Sequence, residues 1–280
     1  MRRPTVSRED ERMIERTPED PAALLRAYDE QLRRDAEVQG ADVVTEDGPL
    51  VRGVFSWGGF VSYRDLDGVD DLDALIARTV AYYRDETSVD EFEWKTRGHD
   101  LPVDLTERLL GHGFIADEAE TVMAGSVEHL TDEVEIPDGV SIKQAIAPDD
   151  IARAAVLQRE VFGDGPTPAE AQERLERSEG NGSLWMAEFD GQAISAGRLE
   201  IVPGTEFAGL WGGVTHADWR GKGIYRALTA ARARHARERG VRYLHSDSLE
   251  TSRPILERSG LVKITTTTPY VWHRDAESGA

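Results

Sequence analysis

The chain has 280 residues, of which 39% are hydrophobic and 31% charged, and it contains no cysteine. This composition is typical of a globular protein with one large domain or two ordinary ones. The lack of cysteine excludes disulfides, a thiolate nucleophile and cysteine-ligated metal sites.

The two halves of the chain differ in charge. Residues 1–137 carry 33 acidic and 15 basic side chains, a net charge of −18, whereas residues 138–280 carry 20 and 18, a net charge of −2. This balance argues against nucleic acid as a partner, because binding DNA or RNA depends on basic residues that neutralise phosphates. The acidic half is expected to attract cations, including amine substrates, at long range.

No apolar run is long enough to cross a membrane, and the N-terminal segment lacks the apolar stretch of a secretory signal. We therefore expect a cytoplasmic protein without a membrane partner. Residues 1–20 are highly charged and are expected to form a flexible arm.

Helix and strand signals alternate along the first half. Apolar residues at helical spacing predict a helix over residues 21–38 that begins with Pro21. Two apolar runs that flank Gly58-Gly59 predict a strand pair joined at that turn. The full prediction for this half is helix 21–38, strands 49–57 and 60–64, helix 71–83, strand 92–95, helix 105–110 and strand 120–127.

A polar segment with proline and glycine, residues 129–138, predicts a linker before the second half. Asp190-Gly191 predicts a hairpin between two of the strands that follow. The fold class is therefore α/β, with mixed layers in which a sheet carries helices on its faces. The predicted elements are strand 140–146, helices 148–162 and 168–178, strands 183–189, 193–202 and 207–215, helix 224–239, strand 241–247, helix 252–258 and one or two closing strands over 261–273.

The segment THADWRGKGIYRAL, residues 215–228, lies between a predicted strand and a predicted helix. The first turn of a helix leaves backbone N–H groups without partners, and the helix dipole adds partial positive charge there. The segment lacks the Ser or Thr of a Walker loop and the third glycine of the dinucleotide pattern. It therefore predicts an anion-binding turn of another kind. Glycines permit close approach of a ligand to the backbone, and the segment contains Gly221 and Gly223. Basic side chains add charge-assisted hydrogen bonds, and the segment contains Arg220, Lys222 and Arg226.

Together with residues 242–247 and SRPILERSGL (residues 252–261), this segment resembles the GNAT N-acetyltransferases. The resemblance covers residues 138–275, and the family signature Arg/Gln-x-x-Gly-x-Gly/Ala falls on Arg220, Gly223 and Tyr225. It implies an acetyl-CoA site in which backbone N–H groups of residues 221–226 hold the pyrophosphate, while the preceding strand pairs with the pantetheine arm. The implied cofactor-binding residues are Val214, Thr215, His216, Arg220, Gly221, Lys222, Gly223, Ile224, Tyr225 and Arg226.

The first half looks like the degenerate N-terminal copy of tandem GNAT proteins, and it has no Arg-x-x-Gly loop. The resemblance implies two GNAT-like domains, each with a mixed, mostly antiparallel sheet flanked by helices. The first domain, residues 21–128, is expected to bind no CoA. After the linker, residues 139–275 are expected to form the acetyl-CoA-binding domain, in which a bulky replacement of Gly223 should abolish CoA binding and leave the fold intact.

Two positions depart from the family pattern. Tyr225 stands where the signature has Gly or Ala, so its side chain must point away from the pyrophosphate or pack against the cofactor. Leu256 stands where many members carry a tyrosine whose hydroxyl is thought to protonate the departing CoA thiolate. The usual general acid is therefore absent, and another group or water must replace it.

Attack on a thioester requires a neutral amine, so a base must remove a proton directly or through water. Glu200 is the preferred base, because the flanking Leu199 and Ile201 indicate a buried carboxylate on a sheet. Each candidate also fits the description of an ordinary paired surface or sheet residue. The candidates for proton transfer are Glu200, His216, Tyr270 and Ser252, with His245 and Asp247 on the strand after the CoA helix, and Trp211 is a candidate for the wall of the acceptor channel.

The seven histidines give no metal-binding pattern, and no Gly-x-Ser-x-Gly elbow supports a hydrolase. The resemblance implies an N-acyltransferase that moves an acetyl group from acetyl-CoA to a primary amine in a ternary complex, without a metal. A small cationic molecule is the expected acceptor, and the protein is expected to be a monomer or homodimer. The alternatives are a non-catalytic acyl-CoA sensor or partner-binding module, which Leu256 favours, and an acetyltransferase of protein N-termini or lysines.

Overall fold

The computed structural model describes residues 20–250 and 252–274. The arm predicted over residues 1–20 lies outside these ranges except for Asp20, whose carboxylate caps the first helix by accepting a hydrogen bond from Ala22 N–H at 3.0 Å. The first half contains α1 (Pro21–Gln31), β1 (Val43–Asp47), β2 (Leu50–Phe55), β3 (Gly58–Ser62), α2 (Leu72–Glu86), β4 (Glu91–Arg97), α3 (Leu105–Gly111), β5 (Ile115–Ala116) and β6 (Glu120–Ser126).

The second half follows the predicted order of elements. The bounds of α4 and β10 agree with the prediction at both ends, and every helix in the described ranges is too short or too polar to cross a bilayer. The elements are β7 (Ser141–Gln144), α4 (Pro148–Phe162), α5 (Pro168–Arg177), β8 (Gly182–Phe189), β9 (Gln192–Ile201), β10 (Phe207–Thr215), α6 (Ile224–Glu238), β11 (Tyr243–Ser248), α7 (Arg253–Arg258) and β12 (Val262–His273).

The first helix is shorter than predicted. It ends at Gln31, and Arg34 then adopts a positive φ of 64°, which an α-helix does not permit. A separate 3-10 turn follows over Arg34–Val38. Strand β1, whose side chains are mostly exposed, was not predicted at all.

The turn between β2 and β3 also differs from the prediction. Ser56 and Trp57 form it, and Gly58-Gly59 instead begins β3. A Cβ on Gly59 would lie 2.3 Å from the ring of Tyr83, so a glycine here allows α2 to pack directly on the strand. These glycines therefore reflect close packing rather than chain reversal.

All strands of the described residues belong to one 12-stranded sheet in the order β1-β2-β3-β4-β12-β6-β11-β10-β9-β8-β7, with β5 beside β12. Each half repeats one pattern, in which an antiparallel pair is followed by a helix, a strand parallel to the second member of the pair, and a short helix. The pattern is β2, β3, α2, β4, α3 in the first half and β9, β10, α6, β11, α7 in the second.

The final strand of each half pairs with strands of the other half. β6, from the first half, pairs antiparallel with the whole of β11. β12, from the second half, pairs antiparallel with the whole of β4 and also with β6. We call β6 and β12 the exchanged strands. Because of them, the linker predicted at residues 129–138 divides the chain but not the sheet.

The hydrophobic cores follow the same exchange. Tyr270 and Trp272 of β12 pack with Phe92 and Trp94 in the core of the first half. In the opposite direction, α1 packs Tyr28 and its apolar neighbours against side chains of β10 and β11. The two halves therefore share buried surface at their junction, which is where the candidate site lies.

Candidate active site

The strands β10 and β11 separate in the middle of the sheet. They pair in parallel only over Phe207–Gly209, and the register of β10 against β9 shifts between Trp211 and Val214. Gly212 within this bulge has a φ of +58°, a conformation that favours glycine. The buried side chain of Gln158 holds the bulge by donating a hydrogen bond to Gly212 O at 2.6 Å. The result is a fork that opens between β10 and β11.

A cavity of about 610 Å³, here called the loop cavity, runs from the fork to the start of α6. Gly213, Val214 and Thr215 of β10 form one wall, and Ser252 and Ile255 at α7 contribute to another. The segment 220–226 closes its end, with Lys222 outside the wall. This cavity is therefore bounded by the strand end, the glycine turn and the helix start together.

The N-terminus of α6 is built to receive an anion. Gly223 is its N-cap residue with a φ of +79°, no side chain caps the first turn, and no acidic residue lies in it. A Cβ placed on Gly221, which has a φ of +74°, would meet no atom within 4 Å, so the turn is open on the cavity side. Arg220 is held in place because its Nε donates to Thr215 O at 3.1 Å. These groups fit a pyrophosphate, since free N–H groups and guanidinium charge converge on an open cradle.

Tyr225 folds back onto β10 rather than crossing the cradle. A Cβ on Gly213 would lie 2.7 Å from the Tyr225 hydroxyl oxygen, so the ring covers the bulge and forms part of the wall of the loop cavity. The hydroxyl also interacts with the guanidinium of Arg232, whose pKa is lowered by burial. Leu256, by contrast, is 1% exposed within the core beneath α6.

A second cavity of about 300 Å³ lies where the two halves meet, and we call it the junction cavity. Trp211, on the other side of the bulge from Gly213, forms part of its wall, and the ring of Trp211 lies 5.4 Å from that of His245. Both halves contribute its remaining walls, which include His245 and the charged residues Glu37, Lys95, Glu200 and Asp247.

The sequence profile of the Acetyltransferase (GNAT) family matches residues 151–260. Residues 151–260 form a GNAT domain. No protein of curated function matches the chain.

Solved structures resemble this chain far beyond the GNAT domain. A GCN5-related N-acetyltransferase from Kribbella flavida has a TM-score of 0.63 and 16% identity, covering 90% of this chain and 95% of its own. A GCN5-related N-acetyltransferase from Sphaerobacter thermophilus has a TM-score of 0.62 and 16% identity, covering 92% of this chain and 94% of its own. A tandem GNAT protein from the clavulanic acid biosynthesis pathway has a TM-score of 0.60 and 15% identity, covering 80% of this chain and 78% of its own. At these identities the similarity establishes the fold.

The GNAT domain brings most of the predicted cofactor-binding residues to the wall of the loop cavity. The two that lie elsewhere are His216, whose Nδ1 accepts a hydrogen bond from Asp218 N–H at 3.3 Å, and Lys222, whose ammonium lies 4.6 Å from the centre of the Trp219 ring. The residues on the wall are Val214, Thr215, Arg220, Gly221, Gly223, Ile224, Tyr225 and Arg226. The wall also contains six residues that were not among the predicted site residues: Gly213 and Trp219 lie next to the predicted set in sequence, and Val161, Phe162, Ile255 and Arg258 lie on α4 and α7, outside the signature.

The predicted catalytic residues of the GNAT domain do not come together. Tyr270 is buried in the core of the first half and lines neither the loop cavity nor the junction cavity. Ser252 lines the loop cavity, where its hydroxyl donates to Leu249 O at 3.1 Å. Glu200 lines the junction cavity, but its side chain is 39% exposed and lies 3.1 Å from Arg198 Nε. The burial that made Glu200 the preferred base is therefore absent.

The deepest charged groups of the junction cavity form a pair between the two halves. Lys95 Nζ of β4 lies 2.6 Å from Asp247 Oδ2 of β11. Burial opposes ionisation of the carboxyl group, but the neighbouring basic groups, Lys95 foremost, together outweigh it and hold the pKa of Asp247 below its usual value. Burial also opposes the charge of Lys95, but the carboxylate of Asp247 raises the pKa of Lys95. Both groups are therefore ionised at neutral pH.

His245 stands beside this pair and is neutral at pH 7. Burial, which outweighs the attraction of Asp247, lowers the pKa of His245 to about 4. Its Nδ1 and the second oxygen of Asp247, Oδ1, are buried and have no hydrogen-bond partner among the described residues. The cavity thus contains two buried polar atoms that a ligand could satisfy.

The buried imidazole should make the protein sensitive to acid. The pKa of His245 is lower in the folded protein, at about 4, than in the unfolded chain, at 6.5. The neutral imidazole therefore contributes fully to the free energy of unfolding above pH 6.5, and this contribution is lost as pH falls towards 4. At pH 5 the loss amounts to about 2 kcal/mol. The variant His245→Phe should lose this component of the difference in unfolding free energy between pH 7 and pH 5, measured with urea. His273, whose side chain is only partly exposed, should retain it when changed to Phe, and equal behaviour of the two variants would contradict the assignment.

Proposed function

We propose that the protein transfers an acetyl group from acetyl-CoA to a primary amine carried by a small molecule. The observation that carries the proposal is the open turn at the N-terminus of α6, which ends a cavity running along β10 to the fork. Arg220, Arg226 and the backbone N–H groups of this turn would hold the pyrophosphate. The edge of β10 beyond the bulge would pair with the pantetheine arm, which brings the thioester to the fork.

The acceptor would enter through the junction cavity. Gly213 lines the loop cavity and Trp211 lines the junction cavity, so each cavity reaches the bulge of β10. Acetyl donor and amine can therefore approach one another in a ternary complex, which makes the attack effectively intramolecular. Backbone N–H groups of β10 near Thr215 would polarise the thioester carbonyl.

A small acceptor fits better than a lysine or N-terminus of a folded protein. The junction cavity has a volume of only about 300 Å³ and is enclosed by elements of both halves. The start of α2, the corresponding helix in the described part of the first half, offers no such anion site, since Asp71 caps α2 and Asp73 lies in its first turn. We therefore assign the first half to the acceptor wall rather than to a second CoA site.

A non-catalytic acyl-CoA sensor remains the second candidate, because Leu256 is buried where a proton donor was expected. Calorimetry with CoA and a thiol-release assay with acetyl-CoA and small primary amines separate the two functions. The enzyme should bind CoA and release thiol only when an amine is present. CoA binding without turnover of any amine would favour the sensor, and the absence of CoA binding would refute both.

A further inference from the structure

We infer, on the basis of the proposed acyl transfer, that the acceptor is a small monoamine with an apolar body. Its amino group binds between Asp247 Oδ1 and His245 Nδ1 in the junction cavity, and His245 accepts the proton that the nitrogen loses when the amide bond forms.

The two unpartnered atoms define the chemistry of the ligand. The side chain of Asp247 is 4% exposed and His245 is 7% exposed, and the unpartnered oxygen and nitrogen belong to residues that line the same cavity. An ionised carboxylate only accepts hydrogen bonds, and a neutral imidazole with its proton on Nε2 accepts at Nδ1. An amino group carries at least two N–H donors and satisfies both atoms at once, whereas a hydroxyl group has one donor and satisfies only one. The pair therefore selects an amine over the corresponding alcohol.

The charge balance of the cavity favours one amino group rather than several. Each carboxylate on its wall already has a cationic partner: Asp247 pairs with Lys95, Glu37 with Arg97, and Glu200 with Arg198. A polyamine would bring further ammonium groups that find no unpaired carboxylate there. The same balance favours the uncharged, nucleophilic form of a single bound amine, because a charge is costly where no counter-charge is free.

The remaining wall accommodates an apolar body. Leu32, Phe60, Val202 and Trp211 also line the cavity. A wider cavity of about 750 Å³ shares Val202 and Glu200 with it and continues outward to Trp57, which is 57% exposed and stacks on Phe55 at 5.0 Å. A carbon chain or an aromatic ring attached to the amino group can therefore extend past Val202 towards Trp57 and solvent.

The proton balance is simple. An acceptor that arrives as an ammonium ion loses one proton to solvent before the attack. Its nitrogen then bonds to the carbonyl carbon, the carbon–sulfur bond breaks, and the electron pair leaves with the thiolate. The second proton passes from nitrogen to His245 Nδ1, because a nitrogen that has just bonded to the carbonyl carbon is far more acidic than the free ammonium ion. It is returned to the thiolate, so the products are an amide and CoA thiol.

The wild-type protein provides the first test. Calorimetry of the CoA-saturated protein with 2-phenylethylamine, hexylamine, 2-phenylethanol and spermidine should show the two monoamines binding at least tenfold more tightly than the alcohol or the polyamine. The same order should appear in kcat/KM for acetylation of the amines. Preference for spermidine, or equal binding of 2-phenylethylamine and 2-phenylethanol, would overturn the inference.

A variant provides the second test. His245→Phe keeps the aromatic packing and removes the acceptor nitrogen. It should therefore weaken the binding of 2-phenylethylamine at least tenfold, while the Kd values for CoA and for 2-phenylethanol stay within twofold of the wild type. His273→Phe is the matched control and should bind both amines as the wild type does. Unchanged amine affinity in the His245 variant would refute the assignment. Because these are binding measurements, they decide the inference even if no acetyl transfer is found, whereas loss of CoA binding in the wild type would refute the proposed function separately.

Discussion

Replacing Gly221 with aspartate is expected to weaken CoA binding by at least about tenfold, which is about 1.4 kcal/mol or more. Gly221 has a φ of +74°, which Asp tolerates better than most residues, and its Cβ would project into space that no protein atom occupies within 4 Å. The fold should therefore survive, while the new carboxylate enters the cradle and repels the pyrophosphate. Calorimetry with CoA measures the effect.

The matched control is Gly68→Asp. Gly68 has a φ of +78°, a Cβ there also meets nothing within 4 Å, and it lies in the turn before α2. The two variants should lose similar thermal stability, but only Gly221→Asp should lose CoA affinity. Comparable CoA binding in both variants would contradict the assignment of the turn before α6 as the pyrophosphate site. Gly223, which the signature suggests as the target, is less suitable because a Cβ there would lie 2.8 Å from the backbone oxygen of Glu135 and disturb the fold.

The second large effect is expected at the junction of the two halves. Replacing Lys95 with methionine leaves the buried carboxylate of Asp247 without its counter-charge, and removal of one partner from a buried ion pair costs about 3–5 kcal/mol. Urea unfolding at pH 7 measures this loss. The double variant Lys95→Met, Asp247→Asn should be more stable than the single one, because no unpaired charge remains.

The pH dependence of the stability lost in Lys95→Met distinguishes an unpaired charge from a simple loss of packing. In the wild type the lowered pKa of Asp247 contributes stability that is present at neutral pH and lost as pH falls through the folded-state value. Lys95→Met removes the main charge that lowers the pKa of Asp247, while burial still raises it, so this pKa should rise and the deficit relative to the wild type should shrink between pH 7 and pH 5. A deficit that is constant across this range would show that packing, not charge, is responsible.

Much of the fold could be predicted because its signals are local. Pro148 begins α4 and the left-handed Gly163 ends it, so both bounds were readable from the sequence. The site at the start of α6 was also predictable, since its glycines, basic residues and helix start are contiguous from Arg220 to Arg226. The strand predicted over residues 207–215 leads directly into this turn.

The junction cavity could not be predicted in the same way. Lys95 and Asp247 are separated by 152 positions in the chain, and strand alternation specifies which face a side chain occupies but not which strand lies next to it. The exchange of β6 and β12 determines which strands of the two halves lie near one another, and it places β4 and β11 in the same region of the sheet. The burial expected of Glu200 is absent for a related reason, because two apolar neighbours in sequence do not reveal that Arg198, two residues away on the same face, forms an ion pair with it.

The exchanged strands also have an evolutionary consequence. A chain that lost its first half would leave β11 without the antiparallel neighbour β6 and β12 without β4, exposing unpaired backbone groups along both. The turn before α2 can therefore change without loss of the shared sheet, whereas β4 and β6 cannot. Sequence variation in the first half should accumulate in the turn before α2 and be resisted in β4 and β6, because these strands complete the sheet of the second half.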